Sequence, residues 1–135
     1  MQEFTDLKMM KKILVIDDSA LMRRVLCDII NADSRFQVDS IARDGEEALK
    51  LMSQKKFDAI ILDINMPKMN GIEFLTELKE RGVKEKVIVV STDTADGADV
   101  TIQALELGAF DFIQKPKNTL DSRGEHFRRH IFGIL

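Results

Sequence analysis

A single cysteine, Cys27, stands among 135 residues, so no disulfide can close within this chain. No apolar run approaches the ~20 residues that a membrane-spanning helix needs. Met1 to Lys12 mixes charges with scattered apolar residues, so no secretion signal is expected in this stretch. Positive charge is not in surplus: 20 Lys and Arg face 23 Asp and Glu, a net charge of −3. That balance argues against direct binding to nucleic acid through phosphate neutralisation. Internal repeats, low-complexity tracts and interior linkers are absent, and so is the Gly-x-Ser-x-Gly elbow of a serine hydrolase. What is left is ordinary in composition, 44% hydrophobic and 32% charged, at the length of one domain. The expectation is a single globular domain in a reducing, cytoplasmic setting.

The chain alternates strand and helix. After a flexible leader over residues 1–11, Ile13-Leu14-Val15-Ile16 is an apolar run stopped by Asp17-Asp18-Ser19. Ser19 or Asp18 suits the N-cap of a helix from Ala20 to about Asn31, whose Leu21, Met22, Val25, Leu26, Ile29 and Ile30 form one apolar stripe. A strand near Gln37 to Ala42 and a helix from Gly45 to about Gln54 follow, the helix carrying Ala48, Leu49 and Met52. Ala59 to Leu62 is apolar without alternation, the pattern of a strand covered on both faces. It runs into Asp63, and Pro67 forces the chain out of the strand by about Met66. Asn70-Gly71 turns the chain into a helix from Ile72 to Arg81 with Ile72, Leu75 and Leu78 inward. Val87 to Val90 is a fourth strand ending on Ser91-Thr92, followed by a helix from about Gly97 to Leu107 closed by Gly108. Asp111 to Gln114 reads as a fifth strand ending on Lys115-Pro116, and a last helix spans roughly Asp121 to Leu135.

Strands alternating with helices call for an α/β fold, a doubly wound five-stranded parallel sheet with right-handed crossovers and helices on both faces. In such a sheet all carboxyl ends lie on one edge, where open α/β sheets bind ligands. Asp17 and Asp18, Asp63, Ser91 and Thr92, and Lys115 each follow a different strand, so the topology gathers them. Two unit charges ~5 Å apart at an effective dielectric of ~20 repel by roughly 3 kcal/mol, so carboxylates gathered there need an outside cation. An all-oxygen site open to solvent suits Mg²⁺. A carboxylate beside Mg²⁺ and a lysine ammonium suits nucleophilic attack on phosphorus, with both cations stabilising the incoming phosphoryl group.

These residues and spacings resemble the response-regulator receiver domain of two-component signalling, over residues 12–135. The resemblance implies the flavodoxin-like strand order 2-1-3-4-5. It also implies that Asp17 and Asp18 hold Mg²⁺, that Asp63 is the phosphoacceptor and a metal ligand, and that Asn65 gives the metal its backbone carbonyl. Ser91 is then the switch hydroxyl, Phe112 the switch aromatic, and Lys115-Pro116 the lysine followed by a cis-capable proline. The implied partners are a sensor histidine kinase and an output domain or partner protein. Within the family, Asp17-Asp18-Ser19-Ala20-Leu21-Met22-Arg23-Arg24 and Ala104 to Phe112 are similar to the receiver half of chemotaxis protein-glutamate methylesterases, as is Gly97-Ala98 with Thr101. The hydrolase domain of those enzymes is not in this chain, so the chain by itself is not expected to be an enzyme. Asn70, where the family usually carries Asp, and Asp93 depart from the common pattern.

Plainer readings stand beside these. Asp17 and Asp18 can serve as helix caps, Asp63 as a turn residue, and Ser91 as a satisfied hydroxyl. Phe112 is a core aromatic first and a switch second. Cys27 is expected to be a buried small hydrophobe. His126 and His130 have the spacing of a metal pair but lack a third ligand, so a solvated helix face is favoured. Arg123, Arg128 and Arg129 form a small basic patch of the kind usual on a solvated face. An aspartyl-phosphate phosphatase is the rival function, and a free-standing chemotaxis-type receiver the rival context. The phosphatase class wants an acid two residues beyond the nucleophile, where this chain has Asn65.

Overall fold

The structure, a computed structural model, describes residues 10–66, 69–92, 95–115 and 125–135. Its elements are β1 (Lys11–Ile16), α1 (Ala20–Asn31), β2 (Phe36–Ala42), α2 (Gly45–Gln54), β3 (Ala59–Asp63), α3 (Gly71–Glu80), β4 (Lys86–Thr92), α4 (Ala95–Glu106), β5 (Asp111–Lys115) and α5 (Glu125–Ile134). The sheet has five strands in the order β2-β1-β3-β4-β5, with every neighbouring pair parallel. The order reverses between β1 and β3, which leaves a crevice beyond the carboxyl ends of those two strands. Residues 1–9 of the expected leader lie outside the described residues, and β1 reaches back to Lys11, ahead of the apolar run.

The unbroken apolar runs follow from burial on both sides. Leu14, Ile16, Ile60, Leu62, Val87 and Val89 face Ala48 of α2, Phe74, Leu75 and Leu78 of α3, and Ala104 of α4. Ile13, Val15, Ile61, Ile88, Val90 and Ile113 face the other way, onto Val25, Leu26, Ile29 and Ile30 of α1 and Phe127 and Ile131 of α5. In β1, β3 and β4 the period of two therefore sends alternate residues into two separate cores, so their apolar runs are unbroken.

The starts of α1, α2 and α3 are fixed by side chains. Ser19, and not Asp18, caps α1, its Oγ accepting from Met22 N–H at 3.2 Å. Asp44 caps α2, and Asn70 caps α3 in a capping box with Glu73. One member of the expected α1 stripe is missing from the core: Leu21 is 50% exposed, whereas Met22 packs half-buried against the core. On α3 the deepest side chain is Phe74, which the expected inward set omitted. Among the described residues no helix is long and apolar enough to cross a membrane.

Candidate metal and phosphoryl site

Strand register brings the acids together. Ile16 pairs with Leu62, so Asp17 and Asp63 are level at the carboxyl edge, each one residue beyond that pair. Asp17 is fully buried and Asp63 only 2% exposed, whereas Asp18 is exposed at the mouth of the crevice. Each of the three offers a carboxylate oxygen, and these oxygens all lie within 4.8 Å of one another. At that separation each pair repels by roughly 3 kcal/mol with an effective dielectric of about 20.

The loops hold this crowd in place. Asp17 N–H donates to Ala42 C=O at 3.1 Å, which ties the end of β1 to β2. Asp17 Oδ1 accepts from Ser19 N–H at 2.9 Å, and Asp63 Oδ1 accepts from Asn65 N–H at 3.2 Å, the same i to i+2 loop at both strand ends. Past Asp63, Ile64 N–H donates to Val90 C=O and Gly71 N–H to Ile64 C=O, at 3.2 and 3.0 Å. That return is possible because residue 71 is glycine: a Cβ there would sit 2.6 Å from Ile64 Cα.

The oxygen set matches a hard divalent cation. Two buried carboxylates and one exposed one leave the remaining positions to solvent, which is how Mg²⁺ is held, through a few carboxylates and several waters. A tetrahedral nitrogen or sulfur site is not offered by these residues.

Ser91 is buried at the end of β4, where Asp63 pairs with Val90, so its hydroxyl belongs to the same edge. Thr92 pairs with Lys115 in the β4–β5 ladder, which carries the Lys115 backbone to that edge as well. The side chains of Lys115 and His126, and the whole of Pro67, Asp93, Pro116 and Arg123, lie outside the described residues. Asn65 is exposed beside Asp63.

Two expectations change. Phe112 is not a core aromatic: it is 39% exposed, because β5 is an edge strand and only its alternate residue Ile113 turns into the α1–α5 core. Cys27 is half-buried, and burial pushes its thiol up, with the Asp28 carboxylate adding to this and Arg23 opposing it. On α5, Arg128, Arg129 and His130 are exposed. Sequence reasoning gave no role to Arg23, whose Nη1 donates to Asp17 C=O at 2.7 Å. A side chain that binds a main-chain carbonyl leaves no partner residue to read.

This chain belongs to the response regulator receiver domain family, whose sequence pattern matches residues 13–123. A protein-glutamate methylesterase/protein-glutamine glutaminase from Pyrococcus horikoshii is 48% identical over 124 residues, 92% of this chain and 33% of that relative. The chain thus spans about a third of the length of the curated relatives it matches. The crystal structure of the response regulator domain of Thermotoga maritima CheB is similar, with a TM-score of 0.83, 40% identity and 92% of each chain covered. So is a chain of the CheX-CheY-BeF3-Mg²⁺ complex from Borrelia burgdorferi, with a TM-score of 0.77, 28% identity, and 97% of this chain and 94% of that one covered.

Proposed function

We propose that this receiver domain is a phosphorylation-controlled switch of a chemotaxis methylesterase. Asp63 accepts a phosphoryl group from a histidine kinase, and the altered surface governs an output domain or partner. The observation that carries the reading is the set of Asp17, Asp18 and Asp63 oxygens within 4.8 Å of one another at the crevice. Asp17, Asp18, Asp63 and the Asn65 carbonyl would hold Mg²⁺, which supplies charge screening for the phosphoryl oxygens when bound. The similar Borrelia burgdorferi chain comes from a complex that contains Mg²⁺, which supports the choice of ion.

The chemistry is a displacement at phosphorus. An Asp63 carboxylate oxygen forms a bond to phosphorus as the bond from phosphorus to the donor imidazole breaks, and the leaving imidazole keeps the electron pair. Acetyl phosphate reacts in the same sense, with acetate leaving. The Asp63–Asn65 hydrogen bond fixes one carboxylate oxygen and orients the other for attack. Lys115 would pair with the phosphoryl oxygens, and Ser91 would donate to one of them. Moving inward for that bond, Ser91 would vacate space for Phe112, and the surface of α4, β5 and α5 would change. The amide of Asn65 cannot shuttle a proton, which disfavours turnover of outside phosphoesters.

The test is intact-mass analysis after incubation with acetyl phosphate and Mg²⁺. One phosphoryl group is expected on the wild type and none on a folded Asp63→Asn variant. Equal labelling of both would place the acceptor elsewhere. A hydrolase domain encoded beyond Leu135 is expected from the methylesterase reading, and a stop codon there would favour a free-standing receiver.

A further inference from the structure

We infer that Arg23 is a positioning residue for the cation site, holding the Asp17-Asp18-Ser19 loop in its ligating shape. The inference rests on the Mg²⁺ site proposed above. Arg23 lies on the second turn of α1, with its N–H donating to Ser19 C=O at 2.9 Å and its guanidinium Nη1 to Asp17 C=O at 2.7 Å. The second bond is part-buried. One residue thus grips the loop at both ends, through its backbone on Ser19 and its side chain on Asp17, and Asp18 is the residue between.

The grip closes a ring of constraints. Asp17 N–H is tied to β2 through Ala42 C=O, Asp17 Oδ1 to Ser19 N–H, and Ser19 Oγ to Met22 N–H. Without the guanidinium, the Asp17 carbonyl loses a charge-assisted donor. The peptide that joins the two acids can then rotate, and repulsion among three carboxylates within 4.8 Å favours rotation that spreads them. A cation site whose ligands must be drawn back together binds its ion more weakly.

The sign of the effect separates positioning from plain charge. As a mere cation near the site, Arg23 would repel Mg²⁺, and its removal would tighten binding. As a positioning residue it strengthens binding, and its removal weakens it. Calorimetric Mg²⁺ titration of the wild type, Arg23→Ala and Arg23→Lys is the experiment, with amide hydrogen exchange at Asp18 and Ser19 as the second readout. Arg23→Ala is expected to weaken Mg²⁺ binding about tenfold, the scale of one charge-assisted hydrogen bond, and to speed exchange at both amides. Arg23→Lys, which keeps one donor, is expected to recover part of both. Wild-type binding together with unchanged or tighter binding by Arg23→Ala overturns the inference alone. Absence of Mg²⁺ binding by the wild type overturns the site and the positioning role with it. Should Arg23→Ala fail to fold, Arg23→Lys decides: binding and exchange equal to those of Arg23→Gln at the wild-type level contradict the role, and Arg23→Gln weaker than Arg23→Lys supports it.

Discussion

The corner where β3 turns into α3 and the side of the sheet formed by α4 and β5 are built in opposite ways. At the β3–α3 corner the described residues are tied by contacts within the chain: Asn70 and Glu73 cap the helix reciprocally, Gly71 lies against Ile64, and Phe74 fills the core beneath. On the other side, α4 turns Ala104 inward but Ile102 and Leu105 outward, and Phe110 and Phe112 beside them are exposed. The first arrangement gives Asp63 one fixed place. The second leaves apolar side chains exposed, and side chains with so few packing partners can change place at small cost. The proposed switch needs both, a rigid seat for the phosphoacceptor and a surface whose arrangement is weakly determined.

Substitutions can break this contrast, the largest effect first. Phe74→Ala is expected to cost about 4 kcal/mol, the usual loss on emptying a fully buried aromatic site, while Ile102→Ala, 56% exposed, is expected to stay within about 0.5 kcal/mol. Urea unfolding of the two variants checks this, and comparable losses would show that α4 is packed as tightly as α3.

Gly71→Ala sharpens the same point through its sign. Alanine in an unobstructed helix would stabilise by roughly 1 kcal/mol. Here its Cβ meets Ile64 Cα at 2.6 Å, and main chain cannot swing aside as a side-chain tip can. A loss of about 3 kcal/mol is expected from the overpacking, read in the same unfolding experiment, with shifted NMR signals at Ile64 and Asp63.

The smallest effect belongs to charge pairing away from the crevice. After α1, Asp33 accepts from the Arg35 guanidinium at 2.8 and 3.0 Å and from Arg35 N–H at 2.9 Å, and the guanidinium first, then the backbone donor, lower its pKa from 3.8 to about 2. Because the folded value is the lower one, the stabilisation is present above pH 3.8 and is lost as pH falls towards 2. Solvent screens the pair, so its contribution is expected to be the smallest of these. Asp33→Asn should flatten the acid limb of the stability curve between those two values and leave stability at pH 7 lower by that small amount.

The parts of the fold that were readable in the sequence are those set by burial on both faces. β1, β3 and β4 announce themselves as unbroken apolar runs, and the acids that end β1 and β3 stand out for that reason. The site could be assembled from sequence because a parallel sheet puts all carboxyl ends on one edge; the strand order came from the family resemblance and not from any spacing. What escaped was decided by neighbours distant in the chain. Leu21 fits the apolar stripe of α1 but is exposed, and Phe112 has a core residue's chemistry on an edge strand whose outer side is half open. Asn70-Gly71 is legible as a turn, yet the contact of Gly71 with Ile64, which makes glycine necessary there, is not.

Thermal unfolding with and without Mg²⁺ decides whether Asp17, Asp18 and Asp63 act as one cation site. Binding to the folded state alone is expected to stabilise the wild type by about 2.7 kcal/mol at 100 times the dissociation constant. Asp18 is exposed, so Asp18→Ala is expected to fold, to be at least as stable as the wild type without the ion because repulsion is relieved, and to gain little when Mg²⁺ is added. Equal stabilisation of wild type and Asp18→Ala, or none in the wild type at millimolar Mg²⁺, would contradict that site.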